Sequence, residues 1–226
     1  MDLKIEDVSE LLNVSESTIR RWIKNKQIPS YKLNREYRFS RLEIENWVLG
    51  NQANQEEQGI SEVNGIKAGT KQFSLFRAVH NGDVLVDIPG RSKMEIIQNV
   101  SQVAAVKLGL DPILVTELLL DRENLMPTAL NHGIAVPHPR ELLIRGQVDR
   151  VIVVFPKTPV EFGSMDGLPV HTLFFLFSSQ DKRHLHLLAK IAHLSSQPQI
   201  LEFLQLKPQK EEFLTYIKSW EGNFLV

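Results

Sequence analysis

Hydrophobic and polar positions divide this chain of 226 residues into two patterned stretches with a polar stretch between them. Positions 50–71 are rich in Gln, Asn and Gly and hold almost no large apolar side chains. A segment of this composition buries too little surface to order itself, so it is predicted to be a linker. We therefore expect an N-terminal domain at 1–49 and a larger domain at 72–226.

The N-terminal pattern predicts a small domain of helices with one hairpin. A first helix is expected near Glu6–Asn13, and a second begins after Ser15, a residue type that caps helix N-termini well. Apolar residues recur three and four positions apart in this second helix, which gives it one buried face. Pro29 ends the helical region. Two short strands and a last helix follow, at Tyr31–Leu33, Tyr37–Phe39 and Ser40–Val48.

The C-terminal pattern alternates between helical and strand periods. Ser92 and Glu95 form a capping box that opens one helix, and Asp111 followed by Pro112 opens another. Short runs rich in Val, Ile and Phe are typical of buried strands. These runs lie at Ile134–Val136, Val151–Phe155 and Leu173–Phe177, and helical patterns follow at His184–Leu194 and Gln209–Trp220. The alternation predicts an α/β fold with helices on both faces of a sheet.

Composition narrows the class of protein. The chain is 42% hydrophobic and 23% charged, as is ordinary for a globular protein. It has no cysteine, which excludes disulfides and cysteine-ligated zinc and suits a reducing compartment. The chain opens without a signal-peptide pattern, and its longest apolar runs are too short to span a bilayer. We expect a cytoplasmic protein with no membrane partner.

A local charge bias marks the second helix and the hairpin of the N-terminal domain. Positions 20–41 hold eight Lys or Arg residues and one acid, Glu36, a net charge of 8 − 1 = +7. Cations on two adjacent elements are typical of a surface that contacts DNA phosphates, with the helix N-terminus in the major groove. The predicted DNA-binding residues are Ser15, Ser17, Thr18, Arg20, Arg21, Lys24, Lys32, Arg35 and Arg38. The alternative is a solvated charged surface on a small interaction domain.

Five motifs of this domain carry a family resemblance: Glu6–Ser15, Thr18–Trp22, Ile28–Pro29, Tyr37–Phe39 and Leu42–Trp47. Together they resemble the small winged helix-turn-helix domain of the MerR and phage-excisionase class, over Leu3 to Val48. The resemblance implies DNA binding. Lys4 departs from the usual Ser or Thr cap, and Asn34 and Glu36 stand where the wing usually has glycine and arginine.

One histidine of the larger domain has a setting suited to phosphoryl transfer. His138 follows a predicted strand and lies between two prolines, which restrict the backbone. An acceptor histidine needs one neutral, exposed ring nitrogen and nearby donors that neutralise the phosphoryl oxygens. Arg122 can supply a planar set of donors, and Thr128 can donate a hydroxyl. His184 opens a later helix, whose N-terminus favours a phosphate.

Less specific interpretations of these residues exist. Arg122 can pair with neighbouring acids on a helix face. The sequence His184-Leu185-His186 has no acidic ligand nearby, so neither a metal nor a cofactor is expected. The remaining histidines are interpreted as surface or satisfied residues, namely His80, His132, His171 and His193.

A second set of motifs spans about two-thirds of the chain: Ser92-Lys93, Arg122-Glu123, Thr128, Gly133–His138, Asp166-Gly167, Pro169-Val170 and His184–Leu188. These motifs resemble the phosphotransferase-system enzyme IIA domain of the fructose, mannitol and nitrogen-regulatory type. The resemblance implies a mixed sheet with helices on both sides. It also implies that His138 is phosphorylated, that Arg122 binds the phosphate and that His184 is a second active-site histidine. The implied donor is the phosphocarrier HPr or its nitrogen-branch relative. Pro139-Arg140 replaces the Gly-Lys found in many members.

The resulting hypothesis is a regulator that is phosphorylated on His138 and binds DNA. It is interpreted as a phosphoryl-histidine carrier rather than a turnover enzyme, and as a homodimer on a repeated DNA site. One rival is a IIA component that passes phosphate to a sugar-specific IIB. The other is a DNA-binding scaffold without phosphoryl chemistry.

Overall fold

The N-terminal region folds as helices around a small sheet. The computed structural model describes residues 2–12, 14–53, 74–144, 146 and 148–223. The elements of this region are β1 (Asp2–Leu3), α1 (Ile5–Leu12), α2 (Glu16–Lys24), β2 (Tyr31–Leu33), β3 (Glu36–Ser40) and α3 (Arg41–Ala53). The strands pair antiparallel in the order β1-β3-β2. Helices followed by a hairpin form the predicted winged helix-turn-helix arrangement.

Local chemistry explains these elements. The Ser15 side chain accepts a hydrogen bond from the Thr18 N–H at 3.2 Å, which caps α2 as predicted. Ile19 and Trp22 form the buried face of α2. The ring of Trp22 packs against that of Trp47 with centroids 5.3 Å apart, which joins α2 to α3.

Helix α3 is longer than the sequence pattern suggests. It ends at Ala53 rather than at Val48, so the first residues of the predicted linker are helical. Positions 54–71 of the predicted linker lie outside the described residues.

The C-terminal region is built on a four-stranded sheet. Its elements are α4 (Leu75–Asn81), β4 (Asp83–Ile88), α5 (Lys93–Leu108), α6 (Pro112–Leu125), β5 (Ile134–Ala135), β6 (Arg150–Pro156), β7 (Thr172–Phe177), α7 (Asp181–Ser195), α8 (Pro198–Gln205) and α9 (Lys210–Asn223). The strand order is β4-β6-β7-β5. Strands β6 and β7 are antiparallel, whereas β4 with β6 and β5 with β7 are parallel. The predicted mixed sheet is confirmed.

Both faces of the sheet are covered. Alternate residues of the central strand β6, such as Val153 and Val154, belong to two separate buried clusters. One cluster includes residues of α4, α7, α8 and α9, and the other includes residues of α5 and α6. Burial on both sides explains why β6 and β7 are continuous apolar runs rather than alternating ones.

The two regions pack against each other through helices. Helices α1 and α3 contact α7, and their apolar residues belong to the same buried cluster as those of α7. Among the described residues no helix is both long and apolar enough to cross a membrane.

Candidate functional site

His138 is fixed at the end of a strand by its backbone neighbours. The chain leaves β5 at Ala135, and the Pro137 carbonyl still accepts a hydrogen bond from the Leu176 N–H of β7 at 3.0 Å. The Nδ1 atom of His138 lies 2.7 Å from the Val136 carbonyl oxygen. Because a carbonyl only accepts, Nδ1 carries the proton and the lone pair lies on Nε2. The ring is therefore held in the tautomer that a phosphoryl acceptor requires.

Arg122 directs its guanidinium at this lone pair from the last turn of α6. Its Nε–H donates to His138 Nε2 at 3.1 Å, its Nη1 to the Met126 carbonyl at 2.9 Å and its Nη2 to Asn46 Oδ1 at 3.1 Å. Burial lowers the pKa of Arg122 from its ordinary value. The group stays a cation at neutral pH, since a guanidinium is not deprotonated in proteins.

Thr128 is oriented by an acid rather than toward His138. Its hydroxyl donates to Glu123 Oε2 at 2.6 Å and its N–H donates to the same oxygen at 3.1 Å. Lys93 pairs with the other Glu123 oxygen at 3.2 Å. The Thr128 carbonyl accepts from the Val136 N–H at 3.0 Å. Thr128 thus fixes the segment that leads to His138, and its hydroxyl proton is already engaged.

His184 faces His138 from the first turn of α7. The two ring centroids are 4.9 Å apart and the ring planes meet at 61°. Burial, the largest cause, lowers the pKa of His184 to about 3, so its ring is neutral at physiological pH. Its backbone N–H donates to the Gln180 carbonyl at 2.9 Å. This N–H is therefore engaged within the helix, and phosphate binding at the N-terminus of α7 stays a prediction.

Helix α3 of the N-terminal region covers the site. Glu45 is 4% exposed; its Oε2 lies 3.8 Å from His138 Nε2 and its Oε1 lies 3.7 Å from His184 Nε2. Arg41 donates to Glu45 Oε1 at 2.9 Å. His138 is only 1% exposed, so the expectation of an exposed ring nitrogen is wrong for this arrangement. The physical reason is that α3 packs across α7 and over the ring. We call the space between Arg122, His138 and His184 the acceptor pocket.

The sequence pattern does not indicate the contribution of α3 to this site. It indicates no role at this site for Glu45 or for Asn46. One signal was present: Glu45 lies three and four positions before the buried Val48 and Leu49, so an acid stands within the apolar stripe of α3. An acid on a buried stripe needs a polar partner. The sequence alone does not indicate which partner that is.

The charges around the pocket favour an anion over a metal ion. Glu45, His138 and His184 each offer a ligand atom, and these atoms lie within 4.8 Å of one another. However, the guanidinium of Arg122 donates to His138 and that of Arg41 donates to Glu45. Two cations bonded to two of the three ligands oppose a divalent metal and suit an anion.

The predicted DNA-binding residues of α2 and of the β2–β3 hairpin, which we call the wing, lie mostly at the surface. Ser15, Ser17, Arg20, Arg21, Lys24, Lys32 and Arg35 are exposed, and Thr18 and Arg38 are half-buried. Two of the cations are engaged with acids, because Arg20 pairs with Glu16 at 3.1 Å and Arg38 pairs with Glu36 at 2.6 Å. Arg41 was counted in the basic stretch but turns toward the acceptor pocket. The role of the other residues in DNA binding stays a prediction.

Known proteins resemble both regions. A family model described as "Phosphoenolpyruvate-dependent sugar phosphotransferase system, EIIA 2" matches residues 78–220, and a helix-turn-helix domain model matches residues 3–52. A nitrogen regulatory protein of Escherichia coli (strain K12) is 33% identical over 137 residues, which is 59% of this chain and 82% of that protein. One from Pseudomonas aeruginosa is 32% identical over 133 residues, 58% and 85% of the two chains. The crystal structure of nitrogen regulatory protein IIA-Ntr from Neisseria meningitidis superimposes with a TM-score of 0.58 at 26% identity, covering 63% of this chain and 98% of that one. The chain therefore belongs to the EIIA 2 family of the phosphoenolpyruvate-dependent sugar phosphotransferase system, with a helix-turn-helix domain before its EIIA region.

Proposed function

We propose that this protein is a cytoplasmic regulator that accepts a phosphoryl group on His138 Nε2 and binds DNA through its helix-turn-helix region. The proposal that His138 accepts a phosphoryl group rests on the arrangement around its imidazole ring. Val136 holds the Nδ1 proton of His138, and the Arg122 guanidinium lies 3.1 Å from the Nε2 lone pair. A fixed nucleophile beside a buried cation is what in-line transfer of a phosphoryl group needs.

The donor in this proposal is a phosphohistidine on an HPr-type phosphocarrier protein. The bond between phosphorus and the donor nitrogen breaks as the bond between phosphorus and His138 Nε2 forms. The acceptor ring releases one proton and the donor ring takes up one proton, so atoms and charge balance. Arg122 stabilises the phosphoryl oxygens, and His184 is a neutral group beside them, since it is uncharged at physiological pH.

Phosphorylation is tested with the full chain, phosphoenolpyruvate, enzyme I and an HPr-type carrier. We expect an intact-mass increase of one phosphoryl group that is labile to acid and is lost in His138→Ala. Labelling of the wild type and the variant alike would place the phosphate elsewhere and contradict the assignment. Addition of a purified, sugar-specific IIB asks whether the phosphate moves on, which would favour a transport role.

The support for DNA binding is the exposed cationic surface of α2 and the wing. Lys24, Lys32 and Arg35 are exposed, and the N–H groups at the start of α2 follow the exposed Ser15. Lys and Arg on two adjacent elements suit phosphates on either side of a groove. A single copy offers few such contacts, so we propose that two copies bind a repeated site.

The proposed DNA binding is tested by the dependence of the DNA affinity on salt concentration. We expect the affinity of the protein for its DNA to fall as salt rises, and Lys24→Ala to reduce the slope of that dependence by about one. Lys218→Ala removes the same charge from an exposed position of α9 and serves as the matched control. Equal slopes for the two variants would argue against α2 as the DNA-contacting helix. Sedimentation of the complex reports whether two copies bind.

A further inference from the structure

Helix α3 brings three polar side chains to the acceptor pocket. Glu45 and Asn46 are adjacent and lie about one turn after Arg41 on this helix. Asn46 accepts a hydrogen bond from Arg122 at 3.1 Å, and Arg41 donates to Asp181 at the start of α7. Glu45 enters the pocket itself. The helix-turn-helix region is thus bonded to the residues that we propose for phosphoryl chemistry.

The carboxylate of Glu45 stands where a phosphoryl group on His138 needs to be. Its Oε2 is 3.8 Å from His138 Nε2, which is an ordinary van der Waals separation of two atoms. A phosphorus atom and three oxygens do not fit between them. Both groups are anions with several acceptor oxygens, so both are attracted to the guanidinium groups of Arg41 and Arg122.

Charge prevents the two anions from sharing the pocket. Burial raises the pKa of Glu45, but the contact with His138 and the bond from Arg41 outweigh it, so the pKa lies below its usual range and the group is ionised. A phosphoryl group adds a charge of about −1.5 to −2 at neutral pH. Like charges in contact within a buried pocket repel strongly, because little water screens them.

We propose that the helix-turn-helix region is a built-in competitor of the phosphoryl group, with Glu45 as the competing anion, so that seating of α3 and phosphorylation of His138 exclude each other. This inference rests on the proposed function of His138. In the closed arrangement described above, α3 hides the lone pair from a phosphocarrier. In an open arrangement α3 leaves α7 and the carrier docks. Once phosphorylated, the protein cannot close again, since Glu45 is repelled.

The first test measures the distance between the two regions. The chain has no cysteine, so Glu10→Cys on α1 and Lys218→Cys on α9 introduce two unique labelling sites, both at exposed positions. We expect energy transfer between the two dyes to fall when the full chain is phosphorylated. It should not change in the same protein with His138→Ala. Unchanged transfer after complete phosphorylation would overturn the inference.

The second test weakens the packing of α3 against α7 and leaves Arg122, His138 and His184 unchanged. Asp181→Lys replaces the partner of Arg41 by a like charge, and Glu202→Lys makes the same charge change at an exposed position of α8. Because the carrier reaches only the open fraction, we expect Asp181→Lys to be phosphorylated roughly three- to tenfold faster than the wild type. Glu202→Lys should match the wild type.

The outcomes distinguish a failure of this inference from a failure of the proposed function. Equal phosphorylation rates for the wild type, Asp181→Lys and Glu202→Lys would overturn the competition and leave phosphorylation of His138 standing. No phosphate on any of the three, with HPr-type carriers in excess, would overturn the proposed function and the competition with it. Circular dichroism of each variant checks that it is folded.

Discussion

Replacement of Arg122 by lysine tests the chemistry of the acceptor pocket most directly. The guanidinium is fully buried and uses three different nitrogens for three acceptors, which are His138 Nε2, the Met126 carbonyl and Asn46 Oδ1. Lysine keeps the charge, but its single ammonium cannot hold the planar geometry. The substitution therefore separates directed hydrogen bonding from charge alone.

The magnitude follows from the bond to the reacting atoms. In the proposed reaction, Arg122 supplies at least one charge-assisted hydrogen bond to the developing phosphoryl oxygens, worth about 1.5–3 kcal/mol. Each 1.36 kcal/mol is tenfold in rate, so we expect phosphorylation of Arg122→Lys to be roughly ten- to a hundredfold slower. Arg140→Lys is the matched control, because Arg140 lies two residues after His138 and is exposed. Its rate should stay within about threefold of the wild type.

The assay is rapid-quench transfer from a phosphorylated carrier to the full chain, with the phosphorylated fraction followed over time. Arg122 also donates a hydrogen bond to Asn46, so its replacement weakens the packing of α3 against α7. A larger open fraction would speed phosphorylation and so act against the slower phosphoryl transfer. Each variant is therefore measured in the wild-type and the Asp181→Lys backgrounds. A folded Arg122→Lys protein that is phosphorylated within threefold of its parent in both backgrounds would refute a directed role for this guanidinium.

Three further predictions concern stability, each measured by urea unfolding. Glu221→Gln should lower the free energy of unfolding by about 2–4 kcal/mol, because this carboxylate pairs with a lysine at 2.8 Å and accepts from Ser74 and two N–H groups at the start of α4; an effect below 1 kcal/mol would contradict this. Gly133→Ala should cost at least about 2 kcal/mol more than Gly109→Ala, since both have positive φ but only at Gly133 would a Cβ lie 2.6 Å from an imidazole carbon; equal losses would exclude the clash. Burial lowers the pKa of His184 to about 3 and of His186 to about 4, so the unfolded chain takes up protons from pH 6.5 downward that the folded chain does not. Stability should therefore fall between pH 6.5 and about pH 4, by up to about 1.4 kcal/mol per pH unit for each histidine, and His186→Gln should flatten this fall.

Local signals in the sequence predict those elements whose causes are local. Ser15 caps α2, and Asp111 accepts from the Ile113 N–H to open α6, because a side chain within three residues satisfies the free N–H groups. Of the two hydrogen bonds predicted for the capping box at α5, only one forms. Ser92 accepts from the Glu95 N–H, whereas the Glu95 carboxylate accepts from the Arg91 N–H. A choice between adjacent backbone donors depends on loop geometry, which the pattern does not contain.

The cover over His138 arises from contacts across distant parts of the chain. Glu45 and His138 are far apart in sequence, and no periodicity links an acid on α3 to a ring that follows β5. Thr128 shows the same limit at shorter range. Its residue type suits a phosphate ligand, yet its hydroxyl donates to Glu123 only five residues away. Residue types indicate which chemistry is available, and packing decides which partner each group takes.

In the proposed mechanism, the closed arrangement also limits how strongly phosphorylation can act on DNA binding. Helices α1 and α3 contact α7, whereas the candidate DNA-contacting residues of α2 and the wing stay exposed. The closed protein therefore leaves its cationic surface accessible to DNA. DNA that bound the closed and the open arrangements equally would not shift the equilibrium between them. Phosphorylation changes the affinity for DNA only if the EIIA region, or a second copy of the protein, contacts the DNA differently once α3 has left α7. By linkage, DNA that favours the open arrangement must also favour phosphorylation of His138 by the same factor. The geometry that controls coupling thus lies in the contact between α3 and α7, and substitutions in α2 should change DNA affinity without changing the response to phosphate.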